Sequence, residues 1–255
     1  MRVRPKKHLG QHFLTDTGIA EDIVSQLSGQ HKDVLELGPG MGVLTNFLIQ
    51  KDIRLTLIDI DEESVNYLIE RYPQLEKQII LGDFLTLDFK TLFKTPFALI
   101  GNFPYNISSQ IMFKVLEAPE MVPEVVGMFQ MEVAKRIASP PGNKDYGILS
   151  VLFQARYNIR YCFTVPEHVF DPPPKVKSGV IHCLFDSSKK LSSTEADFKR
   201  MVKTTFNQRR KTIRNSIKPL MNGRDSATLP FLDKRPEQLS WQQFDELTLA
   251  LLNLR

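Results

Sequence analysis

Cysteine is scarce in this chain: Cys162 and Cys183 are the only two, far apart and in runs that read as strands. That excludes a disulfide framework and any zinc-binding spacing, and leaves two small buried thiols in a reducing compartment as the expectation. The five histidines are scattered, and no metal site is expected. No apolar run approaches the roughly 18–20 residues that cross a bilayer, so no membrane span is expected. The basic start, Met1 to Lys7, lacks the apolar core of a signal peptide and the long Ser-rich pattern of a transit peptide. A cytoplasmic protein follows as the simplest expectation. Internal repeats are missing too, which argues against a solenoid or propeller.

What is present is an ordinary globular balance, 42% hydrophobic and 24% charged over 255 residues, enough for one large domain with a small appendage. The net charge of +4 leans only weakly toward a polyanionic partner, but its distribution is more telling. Residues 1–15 carry Arg2, Arg4, Lys6 and Lys7 and no carboxylate. A second basic cluster holds Lys199, Arg200, Lys203, Arg209, Arg210, Lys211 and Arg214. Two such segments could grip two stretches of phosphate backbone, or be no more than a tail and a solvated helix face.

From Lys32 to Gln130 short β-branched runs alternate with helical stretches. Strands are predicted at Asp33–Leu37, Arg54–Ile60, Gln78–Leu81, Phe97–Gly101 and Val125–Phe129, and helices at Val43–Lys51, Glu62–Tyr72 and Ser108–Leu116. This is the pattern of an α/β, Rossmann-like domain with a parallel sheet. A helix at Met131–Ala138 stops at Ser139-Pro140-Pro141-Gly142; another is predicted at Gly147–Tyr157, then strands at Ile159–Val165 and Val176–Phe185. Ser187 to Ser193 reads as a linker, and the remainder is helical. Val202, Phe206, Ile213 and Ile217 share one face of a predicted helix, and Ser240 with Gln243 forms a capping box before a stripe of Trp241, Phe244, Leu247, Leu251 and Leu254. The expected division is 1–188, an α/β domain with a basic arm, and 189–255, a small all-helical domain.

The first strand runs into Glu36-Leu37-Gly38-Pro39-Gly40-Met41-Gly42. This GxGxG differs from the GxGxxG that seats a pyrophosphate. S-adenosylmethionine carries an ammonium and a sulfonium instead of a phosphate, which suits a carboxylate beside the loop. Asp59 ends the second strand, where it can accept from two ribose hydroxyls. Asp83 follows the third, placed to accept from an adenine amine with Phe84 against the ring. An acidic residue there can also be simply a helix N-cap. Three acids at the carboxyl ends of three consecutive strands fit a ligand better, since that is where open α/β sheets bind.

The fourth strand ends in Asn102-Phe103-Pro104-Tyr105. The lone pair of a purine exocyclic amine is delocalised into its ring. An Asn102 side-chain oxygen and a Pro104 carbonyl can each accept one amine hydrogen, turning that lone pair toward a methyl donor, while Tyr105 stacks on a base taken out of its helix or loop. No charged general base is needed, because the donor is already cationic.

Taken with Gln11-His12-Phe13-Leu14, Gln130 to Arg136, Pro172-Pro173-Pro174-Lys175-Val176 and Arg209-Arg210-Lys211-Thr212-Ile213-Arg214-Asn215, these motifs make nearly the whole chain resemble the KsgA-type rRNA adenine dimethyltransferases, relatives of the Erm methyltransferases. The resemblance implies a class I S-adenosylmethionine-dependent methyltransferase that releases S-adenosylhomocysteine, uses no metal, and acts as a monomer. Its substrate would be two adjacent adenosines in the 3′-terminal hairpin loop of small-subunit rRNA, within an assembling small ribosomal subunit. It also implies cofactor contacts from His12, Leu14, Gly38, Asp59, Asp83 and Asn102, beside Glu36, Gly40 and Phe84 read above, and Phe170 as a second aromatic face for the base.

RNA contacts are expected from Arg2, Arg4, Lys6, Lys7, Lys203, Arg209, Arg210, Lys211 and Arg214. The family usually has Asn where this chain has His12 and Leu where it has Phe103. Protonation of His12 would weaken binding of a cationic cofactor, and the bulk of Phe103 would narrow the room for a monomethylated intermediate. Rival readings are an Erm-like enzyme acting on the large subunit, a non-catalytic assembly or transcription factor, and, least in accord with the loop, a NAD-linked dehydrogenase.

Overall fold

A computed structural model describes residues 3–221 and 223–254. Its chain divides into two compact units, Met1–Lys135 with Ile159–Phe185, and Arg136–Asn158 with Asp186–Arg255. The strands are β1 (Phe13–Leu14), β2 (Asp33–Leu37), β3 (Arg54–Asp59), β4 (Ile79–Leu81), β5 (Phe97–Asn102), β6 (Glu124–Gln130), β7 (Tyr157–Val165), β8 (Phe170–Asp171) and β9 (Ser178–Phe185). The α-helices are α1 (Thr17–Ser25), α2 (Thr45–Leu48), α3 (Glu62–Arg71), α4 (Phe89–Leu92), α5 (Ser108–Val115), α6 (Met131–Ala138), α7 (Ile148–Gln154), α8 (Glu195–Phe206), α9 (Ile213–Ser216), α10 (Lys218–Met221) and α11 (Trp241–Leu252).

In the first unit the sheet runs β4-β3-β2-β5-β6-β9-β7. Its first five strands are parallel and β9 is antiparallel to β6. The parallel strands read as continuous apolar runs, such as the Phe97-Ala98-Leu99-Ile100 of β5, because both faces of such a sheet are covered. Among the parallel strands, chain order proceeds outward from β2 on one side and from β5 on the other. The crevice beyond their carboxyl ends is therefore a topological switch point, where this kind of sheet binds ligands. A two-stranded ribbon unforeseen in the sequence, β1 with β8, pairs Phe13 with Asp171 and Leu14 with Phe170.

The second unit is helical. The segment 136–158, assigned by sequence to the first domain, belongs here: α7 packs on α8 and α11 and buries Leu149, Val151, Leu152 and Phe153. Apolar periodicity identifies a buried helix but not the core it joins. The Ser187–Ser193 linker is also tied down. Lys189 Nζ donates to the Gln154 and Tyr157 carbonyls at 3.1 and 2.7 Å, and Asp245 accepts from the Ser192 and Ser193 backbone amides at 2.6 and 3.0 Å.

The single helix predicted through Val202 and Ile217 is broken after Phe206. Its second part restarts at Ile213, whose amide donates to the Lys234 carbonyl at 2.7 Å, while that of Arg214 donates to Leu232 at 2.9 Å. A tertiary partner takes the donors that a continuous helix would have used. The Ser240–Gln243 capping box opens α11 as predicted.

Candidate active site

The loop leaving β2 turns through left-handed conformations at Gly38, Gly40 and Gly42. At Gly40 the requirement is double: φ is +54°, and a Cβ would meet the Phe13 ring at 2.8 Å. The loop is therefore pressed against the amino-terminal arm, and its backbone is open to a ligand from the remaining side.

Two carboxylates stand beside it without a cationic partner among the described residues. Glu36 is buried and accepts from Thr45 Oγ1 at 2.7 Å; burial pushes its pKa up to about 8. Asp59 accepts from the Gly40 amide at 3.2 Å and the Asp61 amide at 2.9 Å, and burial pushes it up to about 6. Desolvated acids that have lost the ease of ionising are what a cationic ligand would relieve. The helix N-cap is Asp61, whose carboxylate accepts from the Glu63 amide, so the capping alternative applies to the neighbour of Asp59. Asp83 does cap: its side chain accepts from the Leu85 amide at 2.9 Å.

At the end of β5, Asn102 Nδ2 donates to the His12 carbonyl at 2.8 Å. A carbonyl can only accept, so the side-chain amide is held one way round, with Oδ1 left as an acceptor. Tyr105 is stacked on the His12 ring, with centroids 5.4 Å apart and planes at 29°. Burial raises the Tyr105 phenol above its ordinary pKa, and the hydroxyl shares a hydrogen bond with Ser178. His12 Nδ1 lies 2.8 Å from the Pro172 carbonyl and so acts as the donor. Leu9, Gln11, His12, Gly38, Asp59, Asn102 and the Pro104–Tyr105 pair line one pocket of about 470 Å³, its open mouth included. Leu14, Glu36, Gly38 and Asn102 share a second pocket of about 300 Å³ beside it.

Three aromatic residues singled out by sequence, Phe103, Phe84 and Phe170, are buried. Phe103 is fully buried, edge-on to Phe129 at 5.1 Å, where a Cβ at Gly127 would strike its ring at 2.7 Å. Its bulk fills space that a glycine in the next strand leaves open, and it also stands among the residues that line the first pocket. Phe84 is buried against Phe89 at 5.5 Å, and neither Phe84 nor Asp83 lines either pocket. Phe170 is buried in the hydrophobic core beside Leu14 and also lies outside both linings, because pairing of β8 with β1 turns it inward.

Lys6 is joined to Asp61, and the Arg4 amide donates to Glu63 at 3.2 Å, while Arg4 and Lys7 are exposed. In the helical unit Lys203, Arg210, Lys211 and Arg214 are exposed, with Arg214 3.3 Å from Asp233. Arg209 is half-buried, bonded to the Lys144 carbonyl and 3.8 Å from Glu237. Arg2 lies outside the described residues. Sequence reasoning missed Thr45, Asp61, Ser178 and the side chain of Gln11. Only Asp61 had a readable signal, as an acid directly before Glu62-Glu63 and a helical run. Among the described residues no group of three or more His, Cys, Asp or Glu side chains could hold a metal.

A glycine loop at the switch point of this sheet, flanked by buried acids, defines a class I S-adenosylmethionine-dependent methyltransferase. The family model for ribosomal RNA adenine dimethylase matches residues 2–234, and the chain belongs to that family. It is 55% identical to the ribosomal RNA small subunit methyltransferase A of Cytophaga hutchinsonii over 98% of each chain. It is 56% identical to the protein of that name from Parabacteroides distasonis, over 97% of this chain and 94% of the other. Among solved structures, a dimethyladenosine transferase from Plasmodium falciparum shares the fold at a TM-score of 0.78 and 23% identity, covering 94% of this chain and 97% of that one. The 23S rRNA methyltransferase ErmE aligns at a TM-score of 0.68 and 26% identity, over 92% of this chain and 99% of that one. The protein is thus an enzyme that methylates adenine in ribosomal RNA with S-adenosylmethionine.

Proposed function

We propose that the enzyme transfers two methyl groups to the exocyclic amine of each of two adjacent adenosines in the 3′-terminal hairpin loop of small-subunit (16S) rRNA. It would act in the cytoplasm, as a monomer, on an assembling small ribosomal subunit. The observation that carries the chemistry is the fixed amide of Asn102: with Nδ2 committed to the His12 carbonyl, Oδ1 is the acceptor offered to a substrate amine. The Pro104 carbonyl takes only a long 3.3 Å bond from the Ile107 amide and keeps a lone pair for the second amine hydrogen.

Bound S-adenosylmethionine supplies an electrophilic methyl on a sulfonium. Gly38, Gly40 and the Leu14 and His12 segment would hold it, with Asp59 accepting from the ribose hydroxyls. Glu36, ionised as the cation arrives, would then supply negative potential behind the loop. Asp83 would serve the adenine amine after a change of its capping bond. Tyr105, anchored through Ser178, offers a ring to the flipped base once the His12 ring yields that face. Arg4, Lys7, Lys203, Arg210, Lys211 and Arg214 are the exposed cations for phosphate contacts.

Identity above 50% to proteins named for the small subunit, against 26% to an enzyme named for 23S rRNA, supports the small-subunit reading. The test offers labelled S-adenosylmethionine and undermethylated subunits of both sizes, with nucleoside mass analysis. Dimethyladenosine in the small subunit alone is expected, with Asn102→Ala slowing transfer by at least about a hundredfold. Transfer to the large subunit instead would overturn the substrate assignment.

A further inference from the structure

The amino-terminal arm reaches the reactive side chain through Gln11, a residue of the Gln11-to-Leu14 motif to which neither the resemblance nor the chemistry above gives a role. Gln11 Nε2 donates to Asp61 Oδ2 at 3.0 Å, and Gln11 Oε1 accepts from the Lys6 amide at 2.8 Å. Asp61 is itself held on several sides: its side chain is fully buried, it is joined to Lys6 Nζ, and it accepts from Ser64 Oγ at 3.1 Å. Burial alone would raise its pKa, but the bonds from Gln11, Lys6, Glu63 and Ser64 outweigh that and hold the carboxyl below its ordinary value. Its backbone amide is bonded to Asp59. The next residue after Gln11 is His12, whose carbonyl orients Asn102 and whose ring covers Tyr105.

We propose that Gln11 is a positioning residue for methyl transfer: anchored on Asp61, it places the His12 carbonyl so that Asn102 keeps Oδ1 toward the substrate amine. This deepens the reading of Asn102 given above and rests on it. The effect follows from geometry. Asn102 has free rotation about its last torsion and would present Nδ2 as readily as Oδ1 without an acceptor fixed on one side. A donor aimed at an amine hydrogen opposes the reaction, so each loss of registry in the arm removes productive orientations while leaving the glycine loop and Asp59 in place. The anchor also spans both halves of the site, since Asp61 touches the ribose-facing Asp59 through its amide and the arm through its carboxylate.

The experiment compares wild type, Gln11→Glu, and Gln11→Glu combined with Asp61→Asn. In the single variant two carboxylates face each other. In the double variant an Asn Nδ2 can donate to the Glu, so the bond returns with its donor and acceptor exchanged. Single-turnover methyl transfer at saturating cofactor should fall about ten- to a hundredfold in Gln11→Glu and recover to within about threefold of wild type in the double variant. The cofactor Kd should move by a smaller factor than the rate.

A second readout needs no substrate: the side-chain amide protons of Asn102, identified by their loss in Asn102→Ala. In wild type the two should be well separated and one slow to exchange; in Gln11→Glu they should converge and exchange faster, and in the double variant separate again. An unchanged Asn102 amide in Gln11→Glu, or a rate loss matched by an equal loss of cofactor affinity, overturns the proposal. If wild type fails to modify either subunit while the amide signals behave as expected, the functional reading falls and the anchoring role of Gln11 stands.

Discussion

Glu36, near the end of β2, and Glu124, at the start of β6, are both 1% exposed, yet they hold their protons in opposite senses. Glu124 accepts from the Ser28 amide at 2.7 Å, Ser28 Oγ at 2.8 Å and His182 Nε2 at 2.8 Å. Burial alone would raise it, but these bonds outweigh burial and hold the carboxyl below its ordinary value. Glu36 has one hydroxyl donor, Thr45, and the negative Asp59 nearby, so burial prevails. The opposite ends of one sheet thus show a carboxylate with a structural role and one available to a ligand. The first arrives with its partners supplied by the chain. The second is left short of positive charge, where a sulfonium and an ammonium are to come.

The two also set opposite pH dependences. A carboxyl with a lowered pKa contributes stability that is present above its unfolded value, near 4.5, and lost as pH falls through the folded one. One raised to about 8 leaves the fold undisturbed below about 4.5 and weakens it progressively as pH rises toward 8.

Breaking the satisfied end should cost most. Glu124→Ala strands His182 and both Ser28 donors and is expected to lower unfolding free energy by about 3 kcal/mol in urea titration. A loss under about 1 kcal/mol would mean that the cluster is not structural. At the other end Glu36→Gln should stabilise the ligand-free protein at pH 8 by on the order of 4 kcal/mol at most, and at pH 5 by less than about 1 kcal/mol. Equal effects at both pH values would remove the contrast. The same distinction between engaged and available charge divides the basic segment. Arg210→Ala with Lys211→Ala should lower the slope of log K against log salt for rRNA binding by about one per residue. Arg209→Ala should leave that slope unchanged and cost the helical unit up to about 1 kcal/mol in thermal unfolding. A slope change from Arg209 would show that its bonds to Lys144 and Glu237 give way to RNA.

Much of this was legible from residue order alone, and for one reason: the signals concerned are local. Val34-Leu35 and Ala98-Leu99-Ile100 read as buried parallel strands. Gly38, Gly40 and Gly42 are spaced for a turn with positive φ, and Ser240 with Gln243 caps a helix within four residues. The fold class, the loop, Glu36, Asp59 and the Asn102 to Tyr105 turn all follow from such short-range rules. The packing of Phe103 was not legible, because the space its ring fills is left by Gly127 on a neighbouring strand. The place of Phe170 near the base came from the family resemblance alone, and residue order could not show that pairing with Leu14 buries it.

The chemistry on offer, acids and an amide at successive strand ends beneath a glycine loop, is therefore a property of the residue string, since strand periodicity and turn geometry involve only near neighbours. Which charges remain available is a property of the tertiary fold. Lys6 and Arg209 look like any other surface cations until Asp61 and the Lys144 carbonyl are brought to them from far along the chain. The direction in which Asn102 faces is decided in the same way, by the backbone of His12, a residue 90 positions away. Hydrogen-bond partners act over a few ångströms, and only the folded chain sets which groups lie within that reach.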